Sequence, residues 1–308
     1  MNENEIQDDE IQILGSEYRK PKMTKYSKMA ENLEMLEYSK MPAPSGKNRR
    51  WIAWLLIVVA MIIAGIVFVI FQHLKSKQPI ETKPVAVQLD IQPEEAVRAG
   101  YVEVNDETVN DVPLRIYTPR NSIPEISLSL PDETDSTVVF VTQAADIGAD
   151  NRIVGDFILK GEVLARGVKK EGFCSIINHT LTVGVNSQTP LLQDAIREKG
   201  YFFRQYPLVS NSEAIDNKPK GKSIRRALAI RRGEILMVES RDRESFHDFA
   251  QALADLGISE AIYLMGGVSV YGWYRDEHGK QTFFGTKKEN YLEVENFLVW
   301  KNAGIVPQ

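Results

Sequence analysis

An uncharged apolar run of twenty-one residues, Trp51–Phe71, constrains this chain more than any other feature. A helix of that length spans about 30 Å, the thickness of the hydrocarbon core of a bilayer. The run has no polar face, although a core helix of a globular domain normally shows one. It is also too long, and begins too far into the chain, for a cleavable signal peptide. The run therefore predicts one transmembrane helix over residues 51–72.

The charges that flank the apolar run predict its orientation. Lys47, Arg49 and Arg50 precede it, and three more widely spaced lysines follow it. The positive-inside rule counts such residues close to the ends of the helix. We therefore predict a single-pass protein in the cell envelope, with the bilayer as a partner, the N-terminus in the cytoplasm and the C-terminal domain outside it.

Composition divides the remainder into three segments. Residues 1–50 are polar and predict a disordered cytoplasmic tail, residues 73–97 a juxtamembrane linker, and residues 98–308 a folded extracytoplasmic domain. The sequence Tyr-Ser-Lys-Met occurs twice in the tail, at 26–29 and 38–41. One interpretation is a docking motif for an unknown cytoplasmic protein. The other is a drifted duplication in a solvated tail.

The overall charge and the metal-binding residue types exclude several functions. The net charge is −5, which does not fit a nucleic-acid-binding protein. The one cysteine and the four scattered histidines provide no spacing typical of a metal site. We therefore expect no cofactor and no metal held by His or Cys, although a site made of carboxylates alone stays open.

Short β-branched segments separated by turn residues dominate the predicted folded domain. Residues 137–142 (TVVFVT) predict a strand, and hairpins are expected at Lys160-Gly161, at Asn178-His179 and at residues 231–233. Helical spacing is confined to residues 190–199 and 245–256, the second capped by Ser245. The predicted fold class is α+β, with a mixed, largely antiparallel sheet and a few packed helices, preceded by the transmembrane helix.

The most informative segment is 223–269. It contains Arg225-Arg226-Ala227 at the start of a strand, Leu256-Gly257 at the end of a helix, and the loop Leu264–Ser269 (LMGGVS). In this order the three elements resemble the phosphodiester glycosidase family. Residues 143–148, 155–164 and 206–209 resemble further family elements, so that the likeness extends over about residues 100–285.

The resemblance implies an enzyme that releases a sugar from a sugar 1-phosphodiester. It also implies that Arg225, Gly266, Gly267 and Ser269 bind the substrate. A guanidinium presents a planar fork to two phosphate oxygens, and a Gly-Gly turn lets backbone N–H groups approach an anion. Each residue also has a structural interpretation: Arg225 flanks a strand, the glycines form a tight turn, and Ser269 is a turn hydroxyl.

Three polar positions of the family pattern are replaced in this chain. Met265 stands where the family has an aspartate, Ala144 where it has an asparagine, and Gln205-Tyr206 where it has Ser-Gly. Because methionine can neither transfer a proton nor bind a hard cation, the catalytic residue is unknown. The candidate substitutes are the carboxylates of Asp146, Asp156, Glu239 and Asp242.

Aromatic residues offer two further alternatives. Those at 263, 271, 273 and 274 either stack on a sugar ring or are buried by strand alternation, and residues 200–207 either line a cleft or form a buried strand.

Three functions follow from these patterns. The first is an enzyme acting on a sugar 1-phosphodiester or a related glycan. The second is a domain that binds a phosphorylated glycan without turnover, and the third is a module that binds a protein partner.

Overall fold

The computed structural model describes residues 47–75, 83–89, 99–167 and 170–303. The chain divides into two units, Met1–Gln78 and Pro79–Gln308. The duplicated tail motif lies outside the described residues, and nothing tests the predicted segment boundaries.

The described element of the first unit is a helix, α1 (Lys47–Lys75), which includes the apolar run. Its side chains are described from Trp54 to Val69, and they are exposed. None of the described helices contains an apolar stretch sufficient to traverse a bilayer. This finding contradicts the predicted transmembrane helix, and the single-pass topology and localisation derived from it are corrected accordingly.

The second unit contains the other two described helices and eighteen described strands. The helices are α2 (Leu191–Arg197) and α3 (Phe246–Asp255). In chain order the strands are β1 (Val85–Gln88), β2 (Tyr101–Val109), β3 (Val112–Arg120), β4 (Ser122–Ser127), β5 (Val138–Gln143), β6 (Phe157–Leu159), β7 (Glu162–Ala165), β8 (Gly172–Ile177), β9 (Thr180–Val185), β10 (Tyr201–Gln205), β11 (Pro207–Ser210), β12 (Glu213–Ala214), β13 (Arg226–Arg231), β14 (Glu234–Ser240), β15 (Glu260–Leu264), β16 (Gly272–Arg275), β17 (Gln281–Phe284) and β18 (Phe297–Asn302).

The strands form three sheets, and every described pairing between them is antiparallel. A six-stranded sheet has the order β1-β9-β8-β10-β6-β7, and a five-stranded sheet has the order β17-β16-β5-β18-β4. A seven-stranded sheet, β12-β11-β15-β13-β14-β3-β2, contributes to two apolar cores. One core joins it to both other sheets through side chains such as Leu228, Val183 and Phe140. The other joins it to α3 through Phe249 and Leu253.

The predicted fold class is therefore wrong. Antiparallel strands in three sheets dominate the second unit. The predicted fold class also included a transmembrane helix before the domain, and no described helix could cross a membrane. The fold class was inferred from the order of predicted helices and strands along the chain. That order does not show that the strands form three sheets around shared cores.

Several local predictions within the domain are confirmed. Asn178 and His179 both have positive φ, at 47° and 59°, as the hairpin between β8 and β9 requires. The Ser245 hydroxyl caps α3 by accepting a hydrogen bond from the Asp248 N–H at 3.0 Å. Within the segment 200–207, residues Tyr201–Gln205 form the mostly buried strand β10, and Pro207 begins β11.

Candidate functional site

Strand register places the residues before β13 beside the residues after β15. The two strands are antiparallel, with Arg226 paired to Leu264. Arg225 therefore enters the sheet where the loop beginning at Met265 leaves it. The sequence prediction that Arg225 lies near the glycine loop is consistent with this register, although no binding role follows from it.

Arg225 is 7% exposed, and its guanidinium is held by backbone carbonyls. Its Nε donates to the Glu244 carbonyl at 2.9 Å, and its Nη2 donates to the Gly221 carbonyl at 2.7 Å. The guanidinium carbon also lies 4.1 Å from the ring centroid of Phe246. These contacts fix the orientation of the cation on the α3 side of the sheet.

The glycine loop packs too closely for any side chain at Gly266. A Cβ there would lie 2.4 Å from the Ile224 carbonyl oxygen and 2.5 Å from the Tyr263 hydroxyl. The Gly266 N–H hydrogen-bonds to the Tyr263 hydroxyl, and the Gly267 N–H donates to the Ile224 carbonyl at 2.8 Å. Both N–H groups that we expected to bind an anion thus have partners within the protein.

The two ends of the loop are joined by Arg226, which points away from Arg225 across the strand. Its Nη1 lies 3.5 Å from the Met265 carbonyl oxygen and 3.4 Å from that of Val270, and its Nε is paired with Glu239. Ser269 is exposed, and its carbonyl accepts a hydrogen bond from the Thr286 N–H at 3.4 Å. The loop is therefore a rigid feature of the domain.

Asp146, Lys170 and Gln205 form a charged group near this loop. Of the three, the sequence identified only Asp146 as a candidate functional residue. The Lys170 ammonium is paired with the Asp146 carboxylate and donates to Oε1 of Gln205 at 3.0 Å. Nε2 of Gln205 donates to Oδ1 of Asp146 at 2.8 Å. Burial lowers the pKa of Lys170, and the negative charge of Asp146 opposes that shift. The Lys170 side chain is 3% exposed and that of Asp146 is 24% exposed, so Asp146 is the accessible member.

Three aromatic rings connect Lys170 to Arg225. The Lys170 ammonium lies 4.5 Å from the ring centroid of Tyr206, which makes an edge contact with Phe246 at 5.5 Å. Phe246 in turn contacts Tyr263 at 4.8 Å. The two cations therefore face one aromatic group, each with favourable cation–π geometry.

Tyr263 lies between the two halves of this arrangement. Burial is the main cause that raises its pKa, and the charge of Asp146 raises it further. A hydrogen bond from Arg225 and the N–H of Gly266 act in the opposite direction. We call Asp146, Lys170, Gln205, Tyr206, Arg225 and Tyr263 the Asp146 cluster.

The other three candidate carboxylates lie apart from this cluster or have different partners. Asp156 is buried against Arg204, with its Oδ2 2.7 Å from the arginine Nε. Glu239 is paired with Arg226 behind the loop. Asp242 is exposed, and its carbonyl accepts from the Ser240 hydroxyl. Asp146 and Glu239 are both partly exposed and both contact a buried cation, and the Asp146 side chain, at 24%, is the more exposed of the two.

The remaining expectations have mixed outcomes. Tyr271 and Trp273 lie in an apolar cluster, which favours burial over stacking on a sugar. Within residues 47–75, 83–89, 99–167 and 170–303, no three His, Cys, Asp or Glu side chains are grouped as metal ligands. Lys170 was missed because no motif surrounds it, and Gln205 was recognised only as a departure from a pattern.

Comparison with known proteins gives similarity in structure alone. No family model and no curated protein matches the chain. The catalytic domain of zebrafish N-acetylglucosamine-1-phosphodiester alpha-N-acetylglucosaminidase, auto-inhibited by its pro-peptide, matches with a TM-score of 0.49 and 12% identity, over 73% of this chain and 91% of that one. A hypothetical protein from Synechocystis matches with a TM-score of 0.42 and 12% identity, over 66% of this chain and 62% of that one.

Proposed function

We propose that this domain hydrolyses a sugar 1-phosphodiester at the Asp146 cluster. The observation that supports the proposal is that a partly exposed carboxylate, Asp146, lies in one cluster with two buried cations, Lys170 and Arg225. Asp146 contacts Lys170 directly, and Tyr263 is influenced by both Asp146 and Arg225. The segments that contribute Asp146, Gln205-Tyr206, Arg225 and the glycine loop are those whose sequences resemble phosphodiester glycosidase elements.

The proposed reaction needs one proton acceptor and a means of stabilising a departing phosphate. Asp146 accepts a proton from water while the water oxygen bonds to the anomeric carbon. The bond from that carbon to the phosphate oxygen breaks, and its electron pair stays with the phosphate monoester. Lys170 and Arg225 supply positive charge from buried positions, where charge stabilisation is strong.

A second candidate function, binding without turnover, is favoured by the residue at position 265. Met265 cannot transfer a proton, while the buried cation Lys170 still supplies positive charge beside the partly exposed Asp146. On this alternative a phosphorylated glycan is held without any bond being broken.

The two candidates differ in a direct assay. The full-length protein is incubated with N-acetylglucosamine 1-(methyl phosphate), and the release of reducing sugar is followed. Release that is abolished in Asp146→Asn supports hydrolysis. Saturable binding of the intact compound without release supports the binding function and overturns the proposal.

A further inference from the structure

A cleft of about 940 Å³ is lined by residues that lie close in the chain to Asp146 and Lys170, and it has no role in the reaction described above. Its volume is within the range of small-molecule sites in proteins. The described residues that form its apolar walls include Leu128, Ile153, Val154, Leu164 and Val294. None of the described lining residues is aromatic, so the cleft provides no ring face on which a flat ligand would stack.

Two chain segments connect the cleft to the cluster. Gly148 lines the cleft and is two residues from Asp146, while Gly167 lines it and is three residues from Lys170. Because an extended chain covers at most about 3.6 Å per residue, these backbone separations are no more than about 7 Å and 11 Å. A ligand in the cleft therefore lies within the length of a small molecule from both charged groups.

The charges on the cleft wall favour an anion. Arg152 and Arg166 both line it. Arg152 is paired with Asp150, with 3.0 Å between Nε and Oδ2, whereas Arg166 makes no ion pair with any residue in the described ranges. The wall thus has one guanidinium whose charge is not compensated by a described carboxylate, and guanidinium groups bind phosphate oxygens well.

We infer that this cleft holds the alcohol on the far side of the phosphate, and that this alcohol is aliphatic. The inference rests on the proposed function and names its substrate class, a sugar 1-phosphodiester of an alkyl or isoprenyl alcohol. Hydrolysis with one water gives the reducing sugar and an alkyl phosphate. The alkyl chain of that product lies against Leu164 and Val294, and its phosphate lies at Arg166.

The test is the binding of octyl phosphate to the full-length protein, measured by calorimetry below the concentration at which the probe forms micelles. Inorganic phosphate and octyl glucoside serve as probes that lack the chain or the phosphate. We expect octyl phosphate to bind at least tenfold more tightly than either. If inorganic phosphate binds as tightly as octyl phosphate, the cleft binds an anion and not an alkyl chain. If octyl glucoside binds as tightly, Arg166 does not contribute to binding. Either result overturns the inference.

Two variants and two matched controls locate the binding. Leu164→Asp places a charge on the apolar wall, while Val163→Asp changes the adjacent, exposed residue that does not line the cleft. Arg166→Ala removes the uncompensated charge, while Arg232→Ala removes an exposed arginine on the β13–β14 hairpin. Tenfold or greater losses are expected in the first variant of each pair and none in the second. Arg166→Ala keeps the test decisive if Leu164→Asp fails to fold, because Arg166 is exposed.

The outcome is separable from that of the proposed function. Binding of octyl phosphate involves no turnover, so a protein that binds it yet releases no sugar from any phosphodiester contradicts the reaction and leaves the cleft assignment intact. A protein that releases sugar from a methyl phosphodiester but does not bind octyl phosphate contradicts the cleft assignment alone.

Discussion

Nε2 of Gln205 lies 2.8 Å from Oδ1 of Asp146, while Oε1 of the same amide accepts a hydrogen bond from the Lys170 ammonium at 3.0 Å. One buried amide thus bonds to both members of an ion pair. Because Gln205 ends β10, the orientation of the pair is fixed by the six-stranded sheet. Gln205 is therefore positioned by a strand, whereas Asp146 and Lys170 lie outside the strands.

Replacing Gln205 by methionine, which has a similar shape, removes both of these hydrogen bonds and those of the amide with the Ala144 carbonyl and the Tyr206 N–H. Lys170 and Asp146 then lose a partner in a largely buried environment, and we expect the free energy of unfolding to fall by about 1–3 kcal/mol. Urea unfolding measures the change. Gln251→Met on the exposed face of α3 is the control and should have a much smaller effect, and an equal effect in the two variants would contradict the arrangement.

The pKa of Lys170 responds to Asp146 in a predictable direction. Burial lowers this pKa, and Asp146 opposes the shift because its negative charge favours the ammonium form. Asp146→Asn should therefore lower the pKa of Lys170 further. Titration of the lysine Nζ by NMR tests this, with Asp150→Asn, an exposed carboxylate in the same loop, as the control. A Lys170 pKa that does not fall in Asp146→Asn would show that the pair does not form.

Gly266 should not tolerate even a methyl group. A Cβ would meet the Ile224 carbonyl oxygen at 2.4 Å, a backbone atom that cannot move without distorting the strand entrance. We expect Gly266→Ala to reduce the free energy of unfolding by about 2–4 kcal/mol, in the range of severe steric substitutions. Val268→Ala, which changes an exposed side chain of the same loop, should change it by less than about 0.5 kcal/mol.

Glu260 gives the domain a pH dependence away from the candidate site. Burial raises its pKa to about 7 from the ordinary 4.5, against hydrogen bonds from the Asn211 N–H and the Ser210 hydroxyl. Between these two values the unfolded carboxyl loses its proton while the folded one retains it. Its contribution to stability therefore falls as the pH rises from about 4.5 to about 7 and stays low above that.

The Glu260→Gln variant removes this titration. Relative to the wild type, its free energy of unfolding should increase by about 2–3 kcal/mol between pH 4.5 and pH 8. Denaturant unfolding at the two pH values measures the difference. Glu213→Gln, an exposed carboxyl on the neighbouring strand β12, should show little change, and a constant difference between Glu260→Gln and the wild type would contradict the account.

Local sequence signals predicted local structure well. The hairpin at Asn178-His179 and the cap at Ser245 depend on residues within a few positions of each other, so that their chemistry is visible in the sequence. Arg225 could be associated with the glycine loop because only the hairpin strand β14 and one short helix, α3, separate β13 from β15, and these two strands pair directly.

The contacts that complete the candidate site were not visible in the same way. Lys170 and Asp146 are separated by twenty-four residues and meet through the arrangement of different sheets. Gln205 was interpreted as the loss of a functional position, because a sequence does not show that its amide reaches Asp146. The apolar run at residues 51–71 gave a membrane prediction from hydropathy alone, and the finding for the described helices contradicts it.

The most direct test of the central claim is the rate at which the full-length protein and its Asp146→Asn variant release reducing sugar from N-acetylglucosamine 1-(methyl phosphate). We predict release by the wild type and a loss of at least about 100-fold in the variant, the typical contribution of a general base. Asp216→Asn, which changes an exposed carboxylate that does not line the cleft, should retain the wild-type rate. No release by the wild type, or equal rates for the wild type and Asp146→Asn, would contradict the assignment of Asp146 as the group that activates water.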